Sequence, residues 1–246
     1  MPFSQRITDV DFQDSAYILD WSALLTIGGS LVGFGATVEE SAIKASQRRR
    51  LTPYGRVAFR CALGLTNHGD SAGLVFCSQH GDTNLTLDLL QTQLTGALLS
   101  PTGFSLSVHN AVAGLLDIGR GSHTGHVAIS AGSQTLSAGM TEALLRLHDQ
   151  PGTAQILLHV DTPLAGAYPP DAQPPAVCGF ALRLAATHAS GSLGKVTRGN
   201  IPDGAPDSEV ASHELVAMLT TYLDARTGPP GFGWTAQGST WEISTY

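Results

Sequence analysis

Apolar residues in this chain fall into short runs, alternating stretches and spaced stripes, separated by turn residues. Residues 17–25 are aliphatic and aromatic and read as an early strand or helix. Thr52 and Pro53 mark a helix start, as N-cap and first helical residue. Val57, Cys61 and Leu65, with Ala58 and Ala62, then repeat at helical spacing, and residues 67–70 end the helix in a turn. Residues 72–77 are a short apolar run bounded by polar turns, the pattern of a buried strand. Asp82 or Thr83 can cap a helix through Leu85, Leu89, Leu90 and Leu94 that stops near Gly96.

Residues 104–109 alternate, with Phe104, Leu106 and Val108 set against Ser105, Ser107 and His109, which predicts a strand. A strand is predicted at 127–130, running straight into a helix from about 133 to 148. Further strands are predicted at 155–160 and 177–186. Between them Pro163, Pro169, Pro170, Pro174 and Pro175 predict a linker or exposed loop, and residues 190–206 read as another loop. Asp207 or Ser208 caps a predicted helix with an apolar stripe of Val210, Leu215, Leu219 and Leu223, and Gly228, Pro229 and Pro230 stop it. Residues 241–246 can form a last strand. Strands alternating with helices predict a layered α/β fold around a mostly parallel sheet.

Composition narrows the function classes. A chain of 246 residues with 42% hydrophobic and 13% charged residues can bury a large core, and its surface is short of charge, as a surface covered by a partner would be. A net charge of −7 argues against nucleic-acid binding. The basic run Arg48, Arg49 and Arg50 is a solvated helix edge or a dock for an acidic carrier protein. Cys61, Cys77 and Cys178 are scattered, and residues 1–14 lack an apolar core, so a cytoplasmic location without a secretion signal is expected. No apolar run approaches the roughly 18 residues of a membrane span. The Gly-rich stretch 27–35 is not GxGxxG, and no cofactor or metal is called for.

The chemistry-bearing stretch is 100–142. An apolar strand ending in small residues, followed at once by a helix, is an elbow of the kind that presents a nucleophile to the helix N-terminus. Residues 100–114, the turn 118–125 and the elbow Ile129, Ser130, Ala131, Gly132, Ser133 and Gln134 together resemble the ketosynthase family over about residues 50–187. The resemblance implies the N-terminal half of a thiolase-like fold, with a mixed, mostly parallel sheet flanked by helices. It implies one truncated domain over 1–246, with its core at about 15–187 and a divergent loop, helix and strand at 188–246.

The departures shape the functional expectation. The family's nucleophilic cysteine position falls on Gly132, or on Ser133 or Gln134 if the register slips. The family's two histidine contexts do not recur after residue 187, where His188 and His213 stand alone. Condensation needs a thiolate and two imidazoles, so the resemblance implies a chain length factor, a non-catalytic partner of an active ketosynthase as in aryl polyene systems. Phe104, Leu106, Val108, His109 and Asn110 would then lie in the subunit interface strand. Leu87, Leu90 and Leu94 would line the acyl tunnel. An acyl carrier protein would dock at Arg48, Arg49 and Arg50. Two alternatives stay open: an acyltransferase or hydrolase using Ser133, for which His123 and His126 show no orienting acid, and a homodimeric carrier-binding module.

Overall fold

The computed structural model describes residues 14–66, 72–165, 176–201, 210–225 and 231–246. The expected turn at 67–70, the prolines at 169–175, the helix cap at 207–208 and the stop at 228–230 lie outside them. The early apolar segment is a 13-residue strand, β1 (Ser15–Ile27). It reverses at Gly28 and Gly29, both left-handed with φ of 57 and 81, into β2 (Ser30–Gly35), so the Gly-rich stretch is a hairpin. A short helix, α1 (Ala45–Arg48), precedes α2 (Pro53–Gly64). α2 begins as its sequence predicts: Thr52 Oγ1 accepts the Gly55 N–H and Pro53 takes the first turn. Strand β3 (Gly73–Cys77) is buried throughout, and Asp82 caps α3 (Thr83–Leu94) by accepting the Leu85 N–H.

Residues 104–109 are not a strand. Ser100 accepts the Gly103 N–H and Pro101 occupies the first turn of a helix, α4 (Pro101–Leu106). Asn110 then leads α5 (Ala111–Arg120), which ends at left-handed Gly121. A serine cap with proline behind it fixes local backbone geometry, and that outweighs an alternation with no sheet neighbour to reward it. Phe104 and Leu106 therefore sit on α4, while Val108, His109 and Asn110 lie at the α4–α5 turn.

The elements β4 (His126–Ile129), α6 (Thr135–Asp149), β5 (Gln155–Asp161) and β6 (Cys178–Ala185) follow the predicted pattern. The segment expected as a loop holds a strand, β7 (Gly194–Asn200), whose lysine, arginine and glycines masked it. After α7 (Ser212–Ala225) come β8 (Phe232–Ala236) and β9 (Ser239–Thr245), a hairpin of which only the second strand was expected.

One mixed sheet joins nine strands in the order β4-β3-β5-β6-β1-β7-β9-β8, with β2 beside β1. The ladders β4-β3-β5 are parallel and the others antiparallel, which leaves five strands, β1, β3, β4, β5 and β9, pointing one way. Helices cover both faces. α2 and α5 pack through Phe59, Cys61 and Leu116 against Phe76, Leu158 and Ala181. On the other face α6 and α7 pack through Met140, Leu144 and Leu219 against Val75, Leu157 and Phe180. The tail from residue 194 onward is part of the same sheet, and Trp234 and Trp241 stack 5.9 Å apart within the α6–α7 core.

Candidate functional site

Strand β4 ends at Ile129, and α6 begins six residues later, at Thr135. Three contacts force the chain to turn within that space. The Gln134 N–H bonds to the Ala131 carbonyl at 3.1 Å, the Thr135 N–H to the Gly132 carbonyl at 3.2 Å, and Thr135 Oγ1 accepts the Ala131 N–H at 2.9 Å. Gly132 carries the turn at φ 57, a conformation that suits glycine. A Cβ built on it would meet no atom within 4 Å, so the position faces open space. A side chain here would point outward above the start of α6, but none is present.

The next two residues divide the remaining possibilities. Ser133 is exposed, and among the described residues no histidine or carboxylate hydrogen-bonds its hydroxyl. His126 does have an orienting acid, since its Nδ1 lies 2.8 Å from Asp117 Oδ2. It sits at the far end of β4, about 10 Å from the elbow by strand rise. His126 is therefore not placed to deprotonate Ser133. Gln134 is buried, and neither polar end of its side chain has a hydrogen-bond partner among the described residues.

Helix α7 locks the elbow from the side. The Ser133 carbonyl accepts both the N–H and the hydroxyl of Ser212, at 2.8 and 2.7 Å, and Ser212 Oγ accepts the Leu136 N–H at 3.0 Å. The first turn of α6 thus has one of its free donors satisfied from a different helix.

A polar cluster lies beside the elbow, where β3 and β5 end. Ser130 Oγ donates to the Gln79 carbonyl at 2.8 Å, tying the elbow to the turn after β3. The Gln79 N–H and Ser78 Oγ both donate to Asp161, at 3.0 and 2.8 Å. His159 Nε2 lies 3.2 Å from Asp161 Oδ2, and both residues are almost wholly buried. Burial opposes a charged imidazole, yet the adjacent Asp161 carboxylate holds the His159 pKa up at about 10. Burial likewise opposes the Asp161 charge, but His159, Ser78 and the Gln79 N–H keep its pKa below the usual carboxylate range. Asp161, at the end of β5, is half of a buried ion pair. His159 was missed, although a His and an Asp two apart on an apolar strand must share one face.

The residues expected at an interface are partly exposed but do not form a strand. Phe104 is 65% and Val108 53% exposed. His109 turns inward, its Nε2 2.8 Å from the Ser78 carbonyl and its ring against Phe76. β4 lies at one edge of the sheet and β8 at the other, and among the described residues β4 pairs only with β3. Leu87, Leu90 and Leu94 share one side of α3, and exposure rises along it, to 51% at Leu90 and 87% at Leu94. Arg48 Nη1 donates to the Glu40 carbonyl, while Arg49 and Arg50 are exposed. Cys61, Cys77 and Cys178 are all free and buried. Among the described residues no helix is long and apolar enough to cross a membrane.

Comparisons agree with this architecture. The chain is similar to one in the ketosynthase (ApeO) in complex with its chain length factor (ApeC) from Xenorhabdus doucetiae, at 21% identity and a TM-score of 0.70, covering 94% of this chain and 99% of that chain. A beta-ketoacyl synthase from Burkholderia phymatum STM815 is 12% identical with a TM-score of 0.55, over 87% of this chain and 71% of that one. The ishigamide ketosynthase/chain length factor is 15% identical with a TM-score of 0.53, over 88% and 75%. At such identities the likeness is one of fold, and the fold is thiolase-like, as expected. No curated protein sequence matches the chain. The family model described as Beta-ketoacyl synthase, N-terminal domain matches residues 28–227, from the β1–β2 hairpin through α7. That match includes the elbow and the strands that frame it, and the chain belongs to the beta-ketoacyl synthase N-terminal domain family.

Proposed function

We propose that this protein is a ketosynthase-like subunit that does not condense acyl groups itself but completes an active beta-ketoacyl synthase and shapes its acyl tunnel. The observation that carries this reading is Gly132: the elbow keeps its turn, its helix and its open space, and has no side chain to attack with. A thiolate held at the helix N-terminus is the group that ketosynthase chemistry needs, and Cys77 and Cys61 are buried in the two cores instead.

The surface supports a partner. Among the described residues no strand bonds the backbone groups on the outer side of β4, and such an edge is normally covered. Leu90, Leu94, Leu98, Phe104, Val108 and Ile118 are exposed apolar residues on the α3–α5 segment that leads into β4. A ketosynthase covering both would bury this surface, and Leu87, Leu90 and Leu94 would then face the acyl chain. The structural likeness to a ketosynthase–chain length factor complex agrees with such a pairing. Arg49 and Arg50 are free to meet an acidic acyl carrier protein, and the pairing would take place in the cytoplasm.

The test is co-expression with a ketosynthase of an aryl polyene system, followed by size exclusion. The expected result is co-elution at the mass of a one-to-one complex. Separate monomers, or a homodimer indifferent to the ketosynthase, would overturn the reading.

A further inference from the structure

Charge is unevenly spread along the chain. Six of its 13 lysines and arginines fall between residues 44 and 60, with two acids, Glu39 and Glu40, just before them, although the whole chain carries −7. Arg56 and Arg60 stand one turn apart on α2, and like charges at that spacing repel. Arg56 is partly compensated: its Nη1 donates to Glu40 Oε1 at 3.0 Å and its Nε to the Leu51 carbonyl at 3.3 Å. Arg60 is not. Its side chain is only 14% exposed, its Nε donates to the Val38 carbonyl at 2.9 Å, and Glu39 approaches its Nη2 no closer than 3.7 Å. Glu39 is itself 85% exposed, and an ion pair so solvated is worth little. Among the described residues nothing accepts a hydrogen bond from Arg60 Nη1 or Nη2, or from Arg56 Nη2.

Both arginines line one cavity of about 340 Å³, where α2 meets the β1–β2 hairpin. Leu31, Val57 and Val177 give it apolar walls, and Glu40 also lines it. No elbow residue takes part. Its volume lies within the range of small-molecule sites. A largely buried cation without a close partner is costly, so the cavity is short of negative charge. A carboxylate has two oxygens, which a single guanidinium fork can occupy, whereas a phosphate has enough to engage two forks at once.

We infer that this cavity binds a small organic phosphate, its phosphoryl oxygens held between Arg56 and Arg60 and its apolar tail against Leu31, Val57 and Val177. An anion there relieves the repulsion between the two arginines and fills the donors that Glu39 and Glu40 leave open. The apolar walls add affinity that a bare phosphate ion cannot use. Arg49 and Arg50 lie on the same basic segment but do not line the cavity, so they contribute only to the general field around it.

Calorimetric titration of the whole protein with n-hexyl phosphate tests this. Saturable one-to-one binding is expected, tighter than that of inorganic phosphate or of hexanoate. Arg56→Gln and Arg60→Gln, each checked for folding by circular dichroism, should weaken it about tenfold or more, as for loss of a hydrogen-bonded charge, while Arg49→Gln should leave it nearly unchanged. In the wild-type protein n-hexyl phosphate should also slow phenylglyoxal modification of Arg56, read by peptide mapping, and not that of Arg49. Absence of saturable binding, equal affinity for hexanoate or inorganic phosphate, an equal loss in Arg49→Gln, or an unprotected Arg56 would each overturn the assignment. The wild-type protection decides the matter even if a variant does not fold. The outcome is independent of the pairing test, which reads the β4 edge and α3.

Discussion

Ser212 holds the carbonyl of Ser133 with its own N–H and hydroxyl, so the start of α7 and the elbow before α6 are one hydrogen-bonded unit. The hydroxyl has a second role, accepting the buried Leu136 N–H. Ser212→Ala removes both side-chain contacts and leaves that N–H without a partner. A loss of about 1–3 kcal/mol is expected, read as a lower urea midpoint with an unchanged slope.

The His159–Asp161 pair makes stability depend on pH in a defined window. The His159 pKa is raised, so its contribution is complete below about 6.5 and fades as the pH climbs towards about 10. The Asp161 pKa is lowered, so its contribution is present above about 4 and fades in acid. The pair therefore supports the fold most between roughly pH 4 and 6.5. Denaturation at pH 6 and 8.5 should show wild type losing on the order of 1–3 kcal/mol more than His159→Gln over that interval.

Gly139 faces Cys77 where α6 crosses β3, and a Cβ there would overlap the Cys77 sulfur and crowd Leu157. Alanine normally favours a helix interior by about 1 kcal/mol over glycine. Here overpacking should dominate, and Gly139→Ala is expected to cost about 1–3 kcal/mol net. A thermal melt checks the sign, and Cys77→Ala in the same chain should restore part of the loss.

Gly132→Cys should fold, because its side chain would enter open space. The left-handed backbone should cost about 1–2 kcal/mol. The new thiol should react with iodoacetamide in the native protein while Cys61 and Cys77 remain unreacted until denaturant is added. Failure to label would mean that the elbow is covered.

Leu94 lies 87% exposed at the end of α3. Leu94→Asp should leave the melting of the isolated chain within about 0.5 kcal/mol of wild type, as for most surface changes. In the presence of the ketosynthase it should weaken co-elution.

Legibility followed how locally each feature is determined. Thr52 with Pro53, and Asp82 before α3, are capping signals that act over a few residues, and both helices begin where those residues stand. Runs such as 155–160 are buried on both faces and could be read as strands without knowing their neighbours. β7 and β8 could not, because Lys195, Arg198 and Gly233 become strand residues only through ladders to β9 and, for Lys195, to β1 as well. The segment 104–109 shows the opposite error: its alternation was genuine, but Ser100 and Pro101 set the backbone first. At the site, the glycine turn could be read from small residues after an apolar strand. The clasp by Ser212 joins positions 79 residues apart and leaves no trace in spacing. The pairing of His159 with Asp161 could have been read, since a two-residue step on a strand preserves the face.

Strand β1 is bonded to β6 along one side and to β7 and β2 along the other. Its side chains enter both hydrophobic layers, Ile18 and Trp21 on one and Leu24 on the other. Withdrawing it would split the sheet down its middle and wet the two interiors together. The half that bears the elbow and the half that ends the chain consequently stand or fall as one cooperative body, and neither can loosen to admit a ligand without the other registering the change.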